Sequence, residues 1–88
     1  MFNNVDKNGI HITFANGFLI SIQWKYGNYC DNYRGGTAPS TTAECAYWNT
    51  IGKSGMLEWP EVGDTVIGHQ TTDDVLKLMN FVASLKQE

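Results

Sequence analysis

The tripeptide Ala15-Asn16-Gly17 lies between two runs of alternating apolar and polar residues. Ile10, Ile12 and Phe14 share one face of the first run, and Phe18, Ile20, Ile22 and Trp24 share one face of the second. Side chains that alternate with a period of two are the mark of a half-buried strand. Asn-Gly between such runs supplies the positive φ that a type I′ turn demands at both central positions. Residues 10–25 therefore read as a β-hairpin whose apolar stripe is the first half of the core. His11, Thr13, Ser21, Gln23 and Lys25 fall on the opposite face, which is expected to be wet or to meet a partner.

The far end of the chain changes period. Val75, Leu78, Met79, Val82 and Leu85 recur at helical spacing, with Leu76 and Phe81 widening the stripe and Lys77, Lys86 and Gln87 outside it. Thr71 or Thr72 supplies an N-cap, and Asp73 and Asp74 fall in the first turn, where the helix dipole favours negative charge. Thr71 and Asp74 have capping-box spacing, with Asp in place of the usual Glu. The spacing predicts a helix over residues 72–86.

Between hairpin and helix, residues 43–49 read as a third strand, 51–55 as a turn and 56–59 as a fourth strand stopped by Pro60. That makes a second hairpin over 43–59, with a short fifth strand at 65–67. The expected fold is α+β: an antiparallel meander of four to five strands with one C-terminal helix packed on its apolar face. At 88 residues the chain is expected to be a single domain. A domain this small buries only about 60–65% of its unfolded surface, so a homo-oligomer is expected.

Residues 26–42 carry no period. A loop this long in a small domain is usually functional or disordered. It holds Tyr26, Tyr29 and Tyr33 beside Arg34-Gly35-Gly36-Thr37. Glycine amides can approach an anion closely, an arginine forks onto phosphate or carboxylate oxygens, and a Thr hydroxyl adds a donor. Rings beside them suit a ligand that joins a base to a phosphate. The candidate ligand-binding set is Asn28, Tyr29, Asn32, Tyr33, Arg34, Gly35, Gly36 and Thr37. In that reading Tyr29 and Tyr33 stack on the base, Arg34 pairs with phosphate, Gly35 and Gly36 offer amides, and Asn28 and Asn32 read polar edges. The competing use of Asn28, Asp31 and Asn32 is turn formation, where short polar side chains bond nearby backbone.

No catalytic set is visible. His11 and His69 have no nearby nucleophile, no serine sits in a nucleophile elbow, and Glu44 and Glu58 fall in separate strands. Cys30 would act as a nucleophile only if His69 came close, and its acidic neighbour Asp31 disfavours a thiolate. Cys30 and Cys45 read as free thiols, and with the two histidines they match no zinc spacing, so neither metal nor cofactor is expected. Nine Asp plus Glu against six Lys plus Arg, without basic runs, argues against general nucleic-acid binding. No apolar run approaches the roughly 20 residues of a membrane span, and the start of the chain lacks signal-peptide character. A cytoplasmic site is expected.

Four stretches carry a resemblance: Ile10-His11-Ile12-Thr13-Phe14-Ala15-Asn16-Gly17-Phe18-Leu19-Ile20-Ser21-Ile22-Gln23-Trp24, Gly27-Asn28-Tyr29-Cys30-Asp31-Asn32, Ala43-Glu44-Cys45-Ala46-Tyr47-Trp48-Asn49, and Asp64-Thr65-Val66-Ile67-Gly68 with the helix from Thr72 to Leu85. Together they resemble a family of small phage-encoded proteins over most of the chain. The resemblance implies a phage protein of anti-defence type. One group of such factors is the sponges, which sequester cyclic-nucleotide or cyclic ADP-ribose signals of host defence systems without cleaving them. It assigns no residue; the candidate set above stands on chemistry alone. The other classes in view are an inhibitor of a host protein, such as an anti-CRISPR, and a small accessory virion protein.

Overall fold

The chain forms β1 (Phe2–Asp6), β2 (Gly9–Thr13), β3 (Phe18–Gln23), β4 (Ala43–Asn49), β5 (Ile67–Gln70) and α1 (Thr72–Ser84). The computed structural model describes residues 1–35, 39–52 and 55–88, with Asp6 described through its backbone only. The strands build one five-stranded sheet in the order β1-β2-β3-β4-β5, every neighbouring pair antiparallel, and α1 packs against β3, β4 and β5. This is the α+β meander with one C-terminal helix that the periodicities predict.

The alternation sorts the side chains. Ile20, Cys45, Trp59 and Val82 are the largest fully buried side chains, and Phe18, Ile22, Ala43, Tyr47, Ile67 and Leu78 complete the core cluster. The helical stripe joins it through Val75, Leu78, Met79, Phe81, Val82 and Leu85. Leu76 does not join: it is 57% exposed, turned around the helix axis away from the buried line. The Thr71 cap forms as the spacing predicts, with Asp74 N–H donating to Thr71 Oγ1 at 3.2 Å and Thr71 N–H donating to Asp74 Oδ2 at 3.1 Å.

The first hairpin forms, but by a different turn. Gly17 alone has positive φ, at +89°, while Asn16 does not. Phe14 N–H donates to Phe18 O and Gly17 N–H donates to Phe14 O, each at 2.9 Å, so three residues make the connection. A left-handed Gly closing a three-residue loop relieves Asn16 of the strained conformation and frees its side chain. Asn16 Oδ1 accepts from Phe18 N–H at 3.0 Å, and Asn16 Nδ2 donates to the carbonyls of Val82 and Leu85, each at 2.9 Å. Those carbonyls belong to the helix end, where intrahelical donors run out and Val82 O has only a long 3.3 Å bond from the cap N–H of Leu85.

The second expected hairpin does not form. Residues 56–59 make no strand; the outer edge of β4 is shared instead. β5 pairs with the first half through Ala43↔Gln70 and Cys45↔Ile67, and Leu57 N–H donates to Tyr47 O at 2.9 Å on the second half. The segment then turns inward and plugs the core with Trp59, which leaves 2% of its surface exposed. A buried indole needs an acceptor, and Trp59 Nε1 donates to Cys45 O at 3.2 Å. Tyr47 lies 4.3 Å from the Trp59 ring, with its hydroxyl donating to Glu58 O at 2.9 Å, and Phe81 closes the cluster. The fifth strand sits at Ile67–Gln70 rather than at 65–67. β1 is an addition: Phe2–Asp6 lacks the β-branched run that marks a strand, yet pairs with β2. No helix among the described residues is long and apolar enough to cross a membrane.

Asn16 thus ties hairpin to helix. Asn16→Ala removes both side-chain donations to the helix end, and a loss of about 1–3 kcal/mol is expected in urea unfolding. Asn16→Asp keeps the turn acceptor but not the donor and should lose a similar share.

Candidate functional site

The tyrosine loop joins β3 to β4, which are adjacent and antiparallel, so its two ends lie side by side. From there the chain is held by its short polar side chains. Asn28 Oδ1 accepts from Lys25 N–H at 3.0 Å, and Asn28 Nδ2 donates to Glu44 Oε1 at 3.2 Å. The other oxygen of Glu44 accepts from Tyr29 N–H at 2.9 Å. Asn32, 6% exposed, donates to Trp24 O at 2.7 Å. Asp31 reaches across to the returning strand. Its carboxylate accepts from Thr41 N–H at 2.7 Å, from the Thr41 hydroxyl at 2.6 Å and from the Thr42 hydroxyl at 2.9 Å. These donors stabilise the ionised form and hold the Asp31 carboxyl down at about 2, from an ordinary 3.8.

β5 holds the other side. His69 N–H donates to Tyr29 O at 2.7 Å, and the backbone of Gly68 lies so close to Tyr29 that an added Cβ would stand 2.5 Å from Tyr29 Cβ. His69 itself is left-handed, at φ +53°. Only glycine allows that approach, and the next residue carries the backbone strain of it.

On this base stand the exposed rings. Tyr26, Tyr29 and Tyr33 are 67%, 52% and 45% exposed. Tyr29 and Tyr33 stack on one another, with centroids 5.5 Å apart and planes 24° from parallel. Tyr26, Gly27, Tyr33 and exposed Arg34 border an open depression of ≈ 390 Å³. A separate cleft of ≈ 270 Å³ lies between Trp24, Thr42 and Val75, away from the tyrosines. The rim hydroxyls of Thr41 and Thr42 already donate to Asp31, and no Lys or Arg among the described residues lines it.

The candidate residues divide accordingly. Tyr33 and Arg34 come together at the depression, and Tyr29 braces Tyr33 from behind. Asn28 and Asn32 point their amides into the chain; they form turns and are not arranged to read a ligand. The N–H of Gly35 donates to Asn32 O at 3.0 Å, so it is not a free anion donor. Gly36 and Thr37 lie outside the described residues. Cys30 is 2% exposed with its thiol toward Lys25 O at 3.7 Å, buried rather than offered as a nucleophile. Cys45 is buried with its thiol pushed up to about 12 by loss of water. Both cysteines are free. No cluster of three metal-ligating side chains occurs among the described residues. Glu44, Thr41, Thr42 and Gly68, which hold the loop, were not singled out by sequence. The pattern that could have flagged Thr41 and Thr42 is an acidic residue, Asp31, within a turn, followed by the hydroxyl run Ser40-Thr41-Thr42.

Comparison of the chain with known protein families, with curated proteins and with solved structures finds no match.

The Asp31 clamp has a pH signature. Its folded carboxyl lies below the ordinary value, so its contribution is present above 3.8 and is lost as the pH falls toward about 2. Asp31→Asn is expected to lower Tm near neutral pH, and its deficit against the parent should shrink as the pH falls through that window. Gly68→Ala is expected to displace Tyr29 and cost roughly 1–3 kcal/mol, the range for overpacking. Thermal melts and the Tyr29 and Tyr33 ring resonances are the readouts.

Proposed function

We propose that the protein is a non-enzymatic binding module that captures a small nucleotide-type ligand at the depression between Tyr26, Tyr33 and Arg34. One observation carries the reading: exposed rings and a guanidinium share an open depression on a loop already locked from beneath. Preorganisation of this kind lowers the entropy lost on binding. The outer face of Tyr33 and the ring of Tyr26 would stack on a base, and Arg34 would fork onto a phosphate. A volume of ≈ 390 Å³ falls in the size range of small-molecule sites.

The depression is open to solvent. A ligand lying there would keep its far side in water unless a second copy covered it, so a homo-oligomer with a shared pocket is part of the proposal. Among the described residues of the loop no nucleophile stands with a base, and sequestration needs no chemistry. Together with the resemblance of four stretches to small phage proteins, this supports an anti-defence sponge acting in the cytoplasm of an infected host cell. A second reading has its own support. Tyr and Arg are the residues enriched at protein hot spots, and this patch is shallow, which also suits a host-protein target.

Titration calorimetry with cyclic dinucleotides, cyclic trinucleotides and cyclic ADP-ribose isomers is the test. Binding of one class is expected, with recovery of intact ligand after heat denaturation. Arg34→Ala and Tyr33→Ala should each weaken it about tenfold or more. No binding across the panel contradicts the nucleotide reading, and one stoichiometric host protein in a pull-down then favours the second.

A further inference from the structure

The sheet has a second face, and the strand register lays it out as a grid. Across β2, β3 and β4 the rows run Gly9–Gln23–Glu44, His11–Ser21–Ala46 and Thr13–Leu19–Trp48. Ser21 and Ala46 are small, and the larger side chains around them leave a hollow of ≈ 380 Å³. The His11 and Trp48 rings meet edge to face over β3, with centroids 5.3 Å apart. Ser21 beneath them is 5% exposed, with its Oγ accepting from Gln23 Nε2 at 3.0 Å. Val5, Met56 and Val66 wall the sides. This face, expected to be wet or to meet a partner, is a cupped, mixed surface.

Its electrostatics select the occupant. Among the described residues no Lys or Arg lines the hollow, so those residues offer a phosphate or carboxylate no counter-charge. Glu44 lines it, and the carboxylate's two hydrogen bonds, from Asn28 Nδ2 and Tyr29 N–H, both come from neutral groups. Its negative charge therefore remains available to a cation at short range. The same hollow is lined, further along β4, by Trp48, the ring type with the strongest attraction for a cation, and by Met56, whose thioether is polarizable. From this the geometry points to a second binding site, on the sheet face opposite α1, for a small organic cation of the ammonium class. The charged nitrogen sits between the Glu44 carboxylate and the Trp48 ring, and its carbon substituents lie on Met56 and Val66. The site is chemically opposite to the Arg34 depression, which takes an anion, and the two proposals stand or fall separately.

The probe is choline, set against its neutral carbon isostere, in which a quaternary carbon replaces the nitrogen. The readout is the indole N–H resonance of Trp48 among the three tryptophans, assigned with Trp48→Phe. Choline is expected to shift Trp48 saturably, and the isostere at the same concentration to leave it in place. Glu44→Gln removes the charge while keeping one acceptor for Tyr29, and should weaken choline about tenfold. Arg34→Ala should leave choline binding unchanged. An isostere that binds as well as choline overturns the proposal, because apolar contact alone would then explain occupancy. Absence of any choline shift, or a saccharide shifting Trp48 where choline does not, also overturns it. The comparison of choline with its isostere uses the unaltered protein, so the test holds even if Glu44→Gln fails to fold.

Discussion

The pairing of β3 with β4, with Ile20 opposite Tyr47 and Gln23 opposite Glu44, is the constraint on which the rest depends. Side chains alternate along both strands, so a slip of one residue would send the whole core stripe to the other face. In this register Ile20, Ile22, Cys45 and Tyr47 meet the helix, while Ser21, Glu44 and Trp48 face away from it. The same register brings the two ends of the tyrosine loop together and places Glu44 beneath it. The core and both candidate sites thus share one origin.

Much of the polar chemistry of so small a chain goes into holding irregular backbone. Asn16 closes the helix end, Asn28 and Glu44 hold one arm of the loop, and Asp31 ties the other arm to Thr41 and Thr42. Backbone that joins no sheet still needs partners for its N–H and C=O groups. Short polar side chains supply them here. Trp59 does the equivalent work in the core, filling volume and donating to the β4 carbonyl of Cys45.

The fold was largely legible because period and capping are local signals. The hairpin stripe, the Thr71–Asp74 box and the helical stripe all rest on neighbours in sequence. The misread elements depend on distant partners. Residues 56–59 have strand composition, but the edge of β4 they would extend is half taken by β5, and Trp59 gains more by turning inward. β1 carries two asparagines and an aspartate and is recruited by pairing rather than propensity. Leu76 fits the helical stripe by type and misses it by angle. At the site, the aromatic and arginine residues were legible as a cluster, whereas the uses of Asn28, Asn32 and Gly35 were not. Each is decided by which backbone group the fold brings within reach. Glu44 reads in sequence only as a residue of the third strand; the register turns it into the clamp under the loop.

The central claim is that the tyrosine loop is a preorganised platform and not a floppy connection. Amide hydrogen exchange measures this directly, because the amides of Tyr29, Asp31, Thr41 and His69 are each committed to a bond that holds the loop. The account predicts that all four exchange slowly, in step with amides of β3 and β4. Exchange of these four at the rates of an unfolded peptide, with the strands still protected, would contradict it.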